Sequence, residues 1–266
     1  MRYNCDILEE SIGNVFEERV RDEKMTLNDR GRTAVKLRVL TYNIHHGEGM
    51  DGVVDLQRIA NVMQALQPDI IALQEVDRHV PRSDGMDQTA ELAGLMGMTG
   101  VFGKAIDLLD GEYGVAILTR FPVLSEQKTY LPNIEHGEQR ALLTVKLDLG
   151  NDLPPLTFSA AHLEWNPKQI QAAQAAAIVE LHCKDTPYIL AGDLNAVPGS
   201  DTMKLLTAQW TDATESMTDW TNAEDGKIDY IMVGAKDQWQ VAETILLKED
   251  MASDHRPVLA VLEWVG

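Results

Sequence analysis

Six short apolar stretches of this chain each carry chemically capable side chains at one end, and this pattern constrains the fold more than any other feature. Four stretches run into such residues and two follow them; the residues are Asn43, Glu75, His162, Asp193, Asn195, Asp229, Asp254 and His255. Apolar stretches of this length, bounded by turn-forming residues, are typical of buried β-strands. If strands that leave and strands that enter bring their polar ends to one edge, some neighbours must be antiparallel. The sequence therefore predicts mixed β-sheets rather than a purely parallel sheet.

The pattern from Val35 onward predicts an α/β fold. Helices are predicted after Asp55, from Asp87, from 168 to about 183 behind Pro167, and after Ser200 or Asp201. Between 100 and 149, four strand-like stretches follow one another without a long helix, which is typical of an antiparallel meander. Together these elements predict two sheets packed face to face with helices on the outside.

Residues 1–34 differ from the rest of the chain. Apolar residues from Ile7 to Val20 recur at helical spacing among charged ones, which predicts an amphipathic helical extension. This helix could pack on the domain, form a loosely ordered arm, or bind a partner or a second copy. Met25 is an alternative start of the chain. We therefore expect an extension over 1–34 and a catalytic domain over 35–266.

The charge balance restricts the choice of partner. The chain has 42 acidic and 23 basic residues, a formal net charge of −19. Proteins that bind long nucleic acids usually neutralise several phosphates with Lys and Arg, so this balance disfavours such a partner. Cys5 and Cys183 form no disulfide framework, and no stretch resembles a signal peptide or a membrane span. These features predict a cytoplasmic protein without a membrane span; protein partners are left open.

The polar residues at the strand ends suit a hard, oxygen-binding cation. Mg²⁺ typically binds one or two carboxylates and leaves other positions to water and phosphate, and Mn²⁺ is a natural substitute. The chain has no Cys pair for zinc, no Gly-x-Ser-x-Gly elbow and no P-loop. Metal-assisted attack of water on a phosphoester is the chemistry that fits best. For each residue the alternative is structural, as a turn or a core hydrogen bond.

Six sequence strings in order resemble the endonuclease/exonuclease/phosphatase superfamily. They begin at Thr41 (TYNIHHG), Leu73 (LQEVD), Ala161 (AHL), Gly192 (GDLN), Ile228 (IDY) and Ser253 (SDHRP). Each string alone is weak, but the six together span most of the chain. The resemblance implies a four-layer α/β sandwich built from two mixed sheets, and a metal-dependent hydrolase acting on phosphoric esters.

The same resemblance implies a role for each site residue. Glu75 would be the principal Mg²⁺ ligand. Asn43 would hold the metal shell or a phosphate oxygen, and Asp254 would support the metal side of the site or a second ion. Asp193 would orient or deprotonate the attacking water, and Asn195 would hold the phosphate. His255, oriented by Asp229, would stabilise charge on the phosphoryl group. His162 would contact the phosphate from the opposite wall, with Glu112 as a candidate to orient it.

The substrate is the least constrained part of this interpretation. Five residues are expected to bind it: Arg140, His45, Tyr113, Arg78 and Arg82. Where the nucleases of the family have an acidic residue two positions after the first Asn, this chain has His45, and the Trp-Cys-Asp-Arg-like string of the inositol phosphatases is absent. A small or lipid-derived phosphoester is predicted. The alternatives are a DNA endonuclease or exonuclease with the same site, and a binding protein that retains the fold without turnover.

Overall fold

The structure is a computed structural model that describes residues 25–27, 33–134, 137–150, 153–185, 187–234 and 238–265. The helix predicted between Ile7 and Val20 lies outside these residues. The described part of the extension contains a strand instead, since Met25–Leu27 pairs antiparallel with the beginning of the next strand at Thr33–Val35. The extension is therefore not helical throughout.

Thirteen strands are present in the described residues. In chain order they are β1 Met25–Leu27, β2 Thr33–Asn43, β3 Ile70–Arg78, β4 Thr99–Leu108, β5 Gly111–Thr119, β6 Val123–Tyr130, β7 Ala141–Leu147, β8 Leu156–His162, β9 Tyr188–Asp193, β10 Thr211–Asp212, β11 Asp229–Val233, β12 Trp239–Leu246 and β13 Val258–Trp264. The first sheet has the order β12-β13-β2-β3-β5-β4, with β1 beside β2; the second has the order β10-β11-β9-β8-β7-β6.

Each sheet combines one parallel pair with antiparallel neighbours. The parallel pairs are β2 with β3 and β8 with β9, and in the second pair His162 lies opposite Asp193. The strands β13 and β11 run antiparallel to β2 and β9, so they begin where those strands end. The predicted mixed sheets are confirmed, and this topology brings strand ends and strand starts to the same edge.

Four α-helices cover the sheets in the described part of the chain: α1 Leu56–Ala65, α2 Gln88–Met96, α3 Lys168–His182 and α4 Asp201–Gln209. Asp55, Asp87 and Ser200 cap three of them, each accepting a hydrogen bond from a backbone N–H of the first turn. The fourth begins directly after Pro167, which lacks the N–H that a helix start leaves unpaired. The capping residues expected from the sequence therefore fix the helix starts.

Three apolar clusters hold the layers together. Side chains on the two faces of β2 belong to different clusters. Val39 packs between the sheets, while Tyr42 faces the helices α1 and α2. A third cluster joins the outer face of the second sheet to α3 and α4, with Tyr188 in it. The order helix, sheet, sheet, helix is the predicted four-layer sandwich.

None of the helices in the described ranges is both long and apolar enough to cross a membrane. Cys183 is a free thiol. The cytoplasmic location stays a prediction.

Candidate active site

The polar ends of strands from both sheets meet at one edge of the sandwich. From the first sheet come Asn43, at the end of β2, Glu75 in β3, and His255, three residues before β13. From the second sheet come His162 and Asp193, which end β8 and β9, and Asp229, which begins β11. Asp229 pairs with Asp193 across the two strands, so it lies at the same edge. The two sheets thus contribute equally.

A cavity of about 790 Å³ opens at this edge. Most of the predicted residues line it, namely His45, Glu75, Tyr113, Arg140, His162, Asp193, Asn195, Asp254 and His255. Asn43 and Asp229 are fully buried and contact these residues from below the cavity surface. One region therefore holds the predicted metal ligands together with the predicted catalytic groups.

Asp193 is the centre of the cluster. Its Oδ2 lies 3.2 Å from Nδ2 of Asn43, which donates a hydrogen bond, and 3.5 and 3.7 Å from Nε2 of His162 and His255. Its Oδ1 accepts a hydrogen bond from the backbone N–H of Asn195 at 2.9 Å. Both carboxylate oxygens are therefore held in place.

Burial controls the titration of Asp193. Its carboxyl group is almost completely removed from solvent, which disfavours the charged form. Together with the neighbouring charge of Asp229, burial raises the pKa of Asp193 to about 7. The group therefore exchanges its proton near neutral pH.

His255 is held by Asp229. Nδ1 donates a hydrogen bond to Oδ2 of Asp229 over 2.9 Å, which leaves Nε2 facing Asp193. Burial opposes a charge on the ring, but the charge and the hydrogen bond of Asp229 outweigh it and raise the pKa of His255 to about 10. The ring is therefore an imidazolium at neutral pH, with the N–H of Nε2 on the side of Asp193.

His162, unlike His255, is neutral at neutral pH. Its pKa is well below the usual value, because of burial and then of the charges of Arg140 and His255. Nη1 of Arg140 lies 3.1 Å from Nδ1 of His162, and a guanidinium can only donate, so Nδ1 accepts. The neutral ring then carries its proton on Nε2. The hypothesis that Glu112 orients His162 is wrong, because Arg140 occupies that position.

The positive charge of Arg140 is balanced by two carboxylates that the sequence pattern did not identify. Nη1 of Arg140 lies 2.9 Å from Glu138, and Nε lies 3.7 Å from the buried Glu164. Glu138 is two residues from Arg140, and Glu164 two from His162, but proximity alone does not distinguish them from surface acids. Two tryptophans of the cavity lining, Trp165 and Trp220, were also missed.

Arg78 and Arg82 are placed differently from the prediction. Neither is among the described residues that line the cavity. Arg78 donates hydrogen bonds to Glu112, and Arg82 donates two of 2.8 Å to the buried carboxylate of Asp77. Their charges are already matched by these carboxylates, which the sequence pattern did not pair with them.

Glu75 reaches the cavity through an irregularity in β3. The pairing of β3 with β5 shifts register between Leu73 and Val76, as in a β-bulge, and Glu75 has a left-handed backbone with φ 58°. Its Oε1 accepts a hydrogen bond from Nδ2 of Asn43 at 3.0 Å. In a regular strand, the alternation of side chains alone would determine which face of the sheet carries this carboxylate; the irregularity changes that direction.

The cavity wall fits a divalent cation. Its carboxylates belong to Glu75, Glu138, Asp193, Glu224, Asp225, Glu249, Asp250 and Asp254. The two arginines of the lining, Arg140 and Arg256, already pair with carboxylates. Such a wall would repel a phosphate group by itself, and carboxylate and amide oxygens are the donors that Mg²⁺ prefers.

The chain belongs to the Endonuclease/Exonuclease/phosphatase family, whose sequence profile matches residues 40–255. This family consists of hydrolases that act on phosphoester bonds. A comparison with curated proteins returns no match.

Solved structures of the same fold include family members from bacteria and human. An endonuclease/exonuclease/phosphatase from Beutenbergia cavernae is 27% identical with a TM-score of 0.73, over 87% of this chain and 72% of that chain. The mannosyl-6-phosphatase of Bacteroides thetaiotaomicron is 19% identical with a TM-score of 0.70, over 85% and 99%. The catalytic domain of human Nocturnin, solved with sulfate, is 19% identical with a TM-score of 0.66, over 85% and 94%. The last two likenesses show the fold alone.

Proposed function

We propose that this protein is a divalent-cation-dependent phosphoesterase that hydrolyses a small or lipid-derived phosphomonoester or phosphodiester by in-line attack of water. The observation that carries the proposal is the arrangement around Oδ2 of Asp193. The amide of Asn43, the cationic ring of His255 and the neutral ring of His162 surround this oxygen at 3.2–3.7 Å inside a carboxylate-rich cavity. In-line displacement requires mainly such positioning and charge neutralisation.

Asp193 is the proposed general base. A base is most effective when its pKa lies near the working pH, and burial raises the pKa of Asp193 to about 7. The backbone N–H of Asn195 fixes one carboxylate oxygen and leaves the other to accept the proton of the attacking water. Asn195 lines the cavity, and its side chain would hold the scissile phosphate.

The two histidines are the proposed donors to the phosphoryl oxygens. Both Nε2 atoms lie 3.5 Å or more from Asp193, which is beyond an ordinary hydrogen bond. Each N–H is therefore free to donate to a substrate oxygen instead. The imidazolium of His255 would stabilise the charge that develops in the transition state, and the neutral His162 would add a second, uncharged donor.

Mg²⁺, or Mn²⁺ in its place, is the proposed cofactor, held by Glu75 with Asn43 and Asp254. When bound, the cation would neutralise phosphoryl charge and favour ionisation of water. Asn43 connects this part of the site to the base, since its Nδ2 donates to the carboxylates of both Glu75 and Asp193.

The size and charge of the cavity favour a small ester over DNA. The volume of about 790 Å³ accommodates a phosphate with a sizeable organic group, for which Tyr113, Trp165 and Trp220 offer aromatic surface. The carboxylates of the same wall would repel a polyanion, and the chain carries a net charge of −19. The DNA nuclease is therefore the less favoured alternative.

A turnover panel tests the proposal. Bis-p-nitrophenyl phosphate, p-nitrophenyl phosphate, sphingomyelin, inositol phosphates and plasmid DNA would be offered with Mg²⁺ and with EDTA. We expect Mg²⁺-stimulated hydrolysis of a small or lipid-derived ester that EDTA abolishes. Replacing Asp193 by Ala should lower kcat by at least about 10²-fold.

Asp201→Asn is a matched control, because this carboxylate is exposed on α4, and its rate should equal that of the wild type. Rapid nicking of plasmid DNA without hydrolysis of small esters would support the nuclease instead. A complete lack of Mg²⁺-stimulated turnover would support the binding protein.

A further inference from the structure

Two histidines lie beside Glu75 on one wall of the cavity. One ring nitrogen of His45, one of His46 and one carboxylate oxygen of Glu75 all lie within 4.8 Å of one another. His45 and Glu75 line the cavity, whereas His46 is buried with 7% of its surface exposed. Two imidazoles and a carboxylate are a donor set that transition metals bind.

Glu48 fixes the protonation of both rings. Nδ1 of His45 lies 3.1 Å from the backbone carbonyl oxygen of Glu48, and Nε2 of His46 lies 3.4 Å from its carboxylate. Both oxygens accept, so these nitrogens carry the protons, and the lone pairs remain on Nε2 of His45 and Nδ1 of His46. Metal-binding histidines are oriented in this way by an acceptor on the second ring nitrogen.

The lone pair of His46 has no protein partner. Nδ1 is buried and makes no hydrogen bond to any of the described residues. A buried polar atom without a partner is costly and calls for an explanation. A cation bound between the two rings and Glu75 would supply the missing partner.

The backbone is strained where these three side chains originate. His45, His46 and Glu75 all have left-handed φ angles, of 45°, 44° and 58°. Such conformations persist only where the surroundings enforce them, and they cluster at functional sites. Here Oδ1 of Asn43 accepts the N–H of His45 at 3.1 Å, and Nε2 of Gln88 donates to the carbonyl of His46 at 2.6 Å.

The charges around the histidines favour a cation. Arg82 interacts electrostatically with His46 and would oppose a second positive charge. Both carboxylate oxygens of Asp77 bind that guanidinium at 2.8 Å, which balances it. With Arg82 and Asp77 paired, the charges left beside the two histidines are those of the Glu48 and Glu75 carboxylates, which are negative.

We infer that His45, His46 and Glu75 form a second divalent-cation site that favours metals with an affinity for imidazole, such as Co²⁺ or Zn²⁺, over Mg²⁺ and Mn²⁺. Mg²⁺ prefers oxygen donors, whereas imidazole suits the later metals. The inference rests on the proposed function in one respect, since Glu75 would serve both cations.

The test measures metal binding rather than turnover. Metal-free protein is loaded with Co²⁺ in the presence of excess Mg²⁺, which would fill the oxygen-donor site. The affinity for Co²⁺ is measured by equilibrium dialysis, and pulsed EPR detects nitrogen nuclei coupled to the metal. We expect coupling to two imidazoles in the wild type. His46→Asn should remove one coupling and weaken Co²⁺ binding by at least about tenfold, and His45→Asn/His46→Asn should remove both. Mg²⁺ should compete poorly for this site.

His79→Asn is the matched control. His79 has the same left-handed backbone, with φ 61°, but is exposed and lies outside the donor group. Asn tolerates this conformation, so the variants should keep the wild-type circular dichroism spectrum. Co²⁺ that shows no nitrogen coupling in the wild type, or a double variant that binds Co²⁺ as tightly as His79→Asn does, would overturn the inference. A wild-type protein that shows nitrogen coupling but no Mg²⁺-stimulated hydrolysis would contradict only the proposed function.

Discussion

Nδ1 of His255 lies 2.9 Å from Oδ2 of Asp229, and the two side chains expose 6% and none of their surface. The carboxylate therefore fixes both the orientation and the charge of the ring. A phosphoesterase that relies on an imidazolium needs it to stay charged across the working pH range, and this contact provides that.

The first prediction concerns this contact in the metal-free protein. His255 should remain protonated until the pH approaches its pKa of about 10, and Asp229→Asn should lower that pKa, because only the charges of Asp193 and Asp254 then oppose the effect of burial. NMR titration of the imidazole signals in EDTA measures both values. Asp185→Asn is the control, since Asp185 binds a different ring, that of His182, and should leave His255 unchanged.

The same contact should make stability depend on pH. Because the folded-state pKa of His255 is raised above the ordinary 6.5, its stabilising contribution is complete below pH 6.5 and is lost as the pH rises through about 10. Urea denaturation between pH 6 and 10 should show a decline in stability that is smaller in Asp229→Asn. Parallel declines in both proteins would assign the effect to other groups.

A second prediction concerns Arg140 as a positioning residue for His162. Arg140→Gln should release the ring from its Nε2–H form and lower kcat by about tenfold or more, since removing a single transition-state donor typically costs more than this. The ¹⁵N shifts of His162 should change to those of mixed tautomers. Arg120→Gln removes an arginine that binds a backbone carbonyl elsewhere and should change neither quantity. Unchanged ¹⁵N shifts in Arg140→Gln would contradict the assignment.

A third prediction concerns the exposed Trp165 at the cavity. Trp165 is 62% exposed, so its replacement by Ala should leave the melting temperature nearly unchanged. The KM for esters with a large organic group should rise severalfold, while that for p-nitrophenyl phosphate stays constant, because only a larger group reaches the ring. Leu109→Ala, which removes a 72% exposed side chain outside the cavity lining, is the control. Equal effects on both esters would exclude a role in selectivity.

A fourth prediction compares two glycines. A Cβ on Gly192 would lie 2.0 Å from the carbonyl oxygen of Ala161 in the neighbouring strand, so Gly192→Ala should destabilise the fold by about 1–3 kcal/mol or more. A Cβ on Gly94 would meet nothing within 4 Å, and this exposed residue lies inside α2. Gly94→Ala should therefore stabilise the protein by about 0.5–1 kcal/mol. Thermal denaturation of both variants checks the opposite signs.

Much of the fold could be predicted because local chemistry determines it. Asp55 and Asp87 cap helices where expected, and the apolar stretches before Asn43 and Asp193 form strands of mixed sheets. The short strand at Met25–Leu27 was not predicted, since three residues give no periodicity. The sequence also did not order the strands within each sheet, which long-range packing decides.

The site was predicted less completely, for a physical reason. Residues at strand ends, such as Asn43 and Asp193, meet because topology brings strand ends together. Charge pairing depends instead on side-chain reach across neighbouring elements, which no spacing encodes. The sequence therefore did not show that Arg82 binds Asp77, or that Arg140 rather than Glu112 contacts His162. The catalytic and metal-binding roles themselves stay predictions.

The division of the site between the two sheets has a consequence for folding. A nascent or refolding chain that has formed only the sheet containing Asn43 lacks Asp193, the proposed base, and one with only the sheet containing Asp193 lacks Glu75, the proposed metal ligand. Neither half alone could perform hydrolysis. The recovery of enzymatic activity after dilution from denaturant would thus time the docking of the halves, independently of when each acquires its secondary structure.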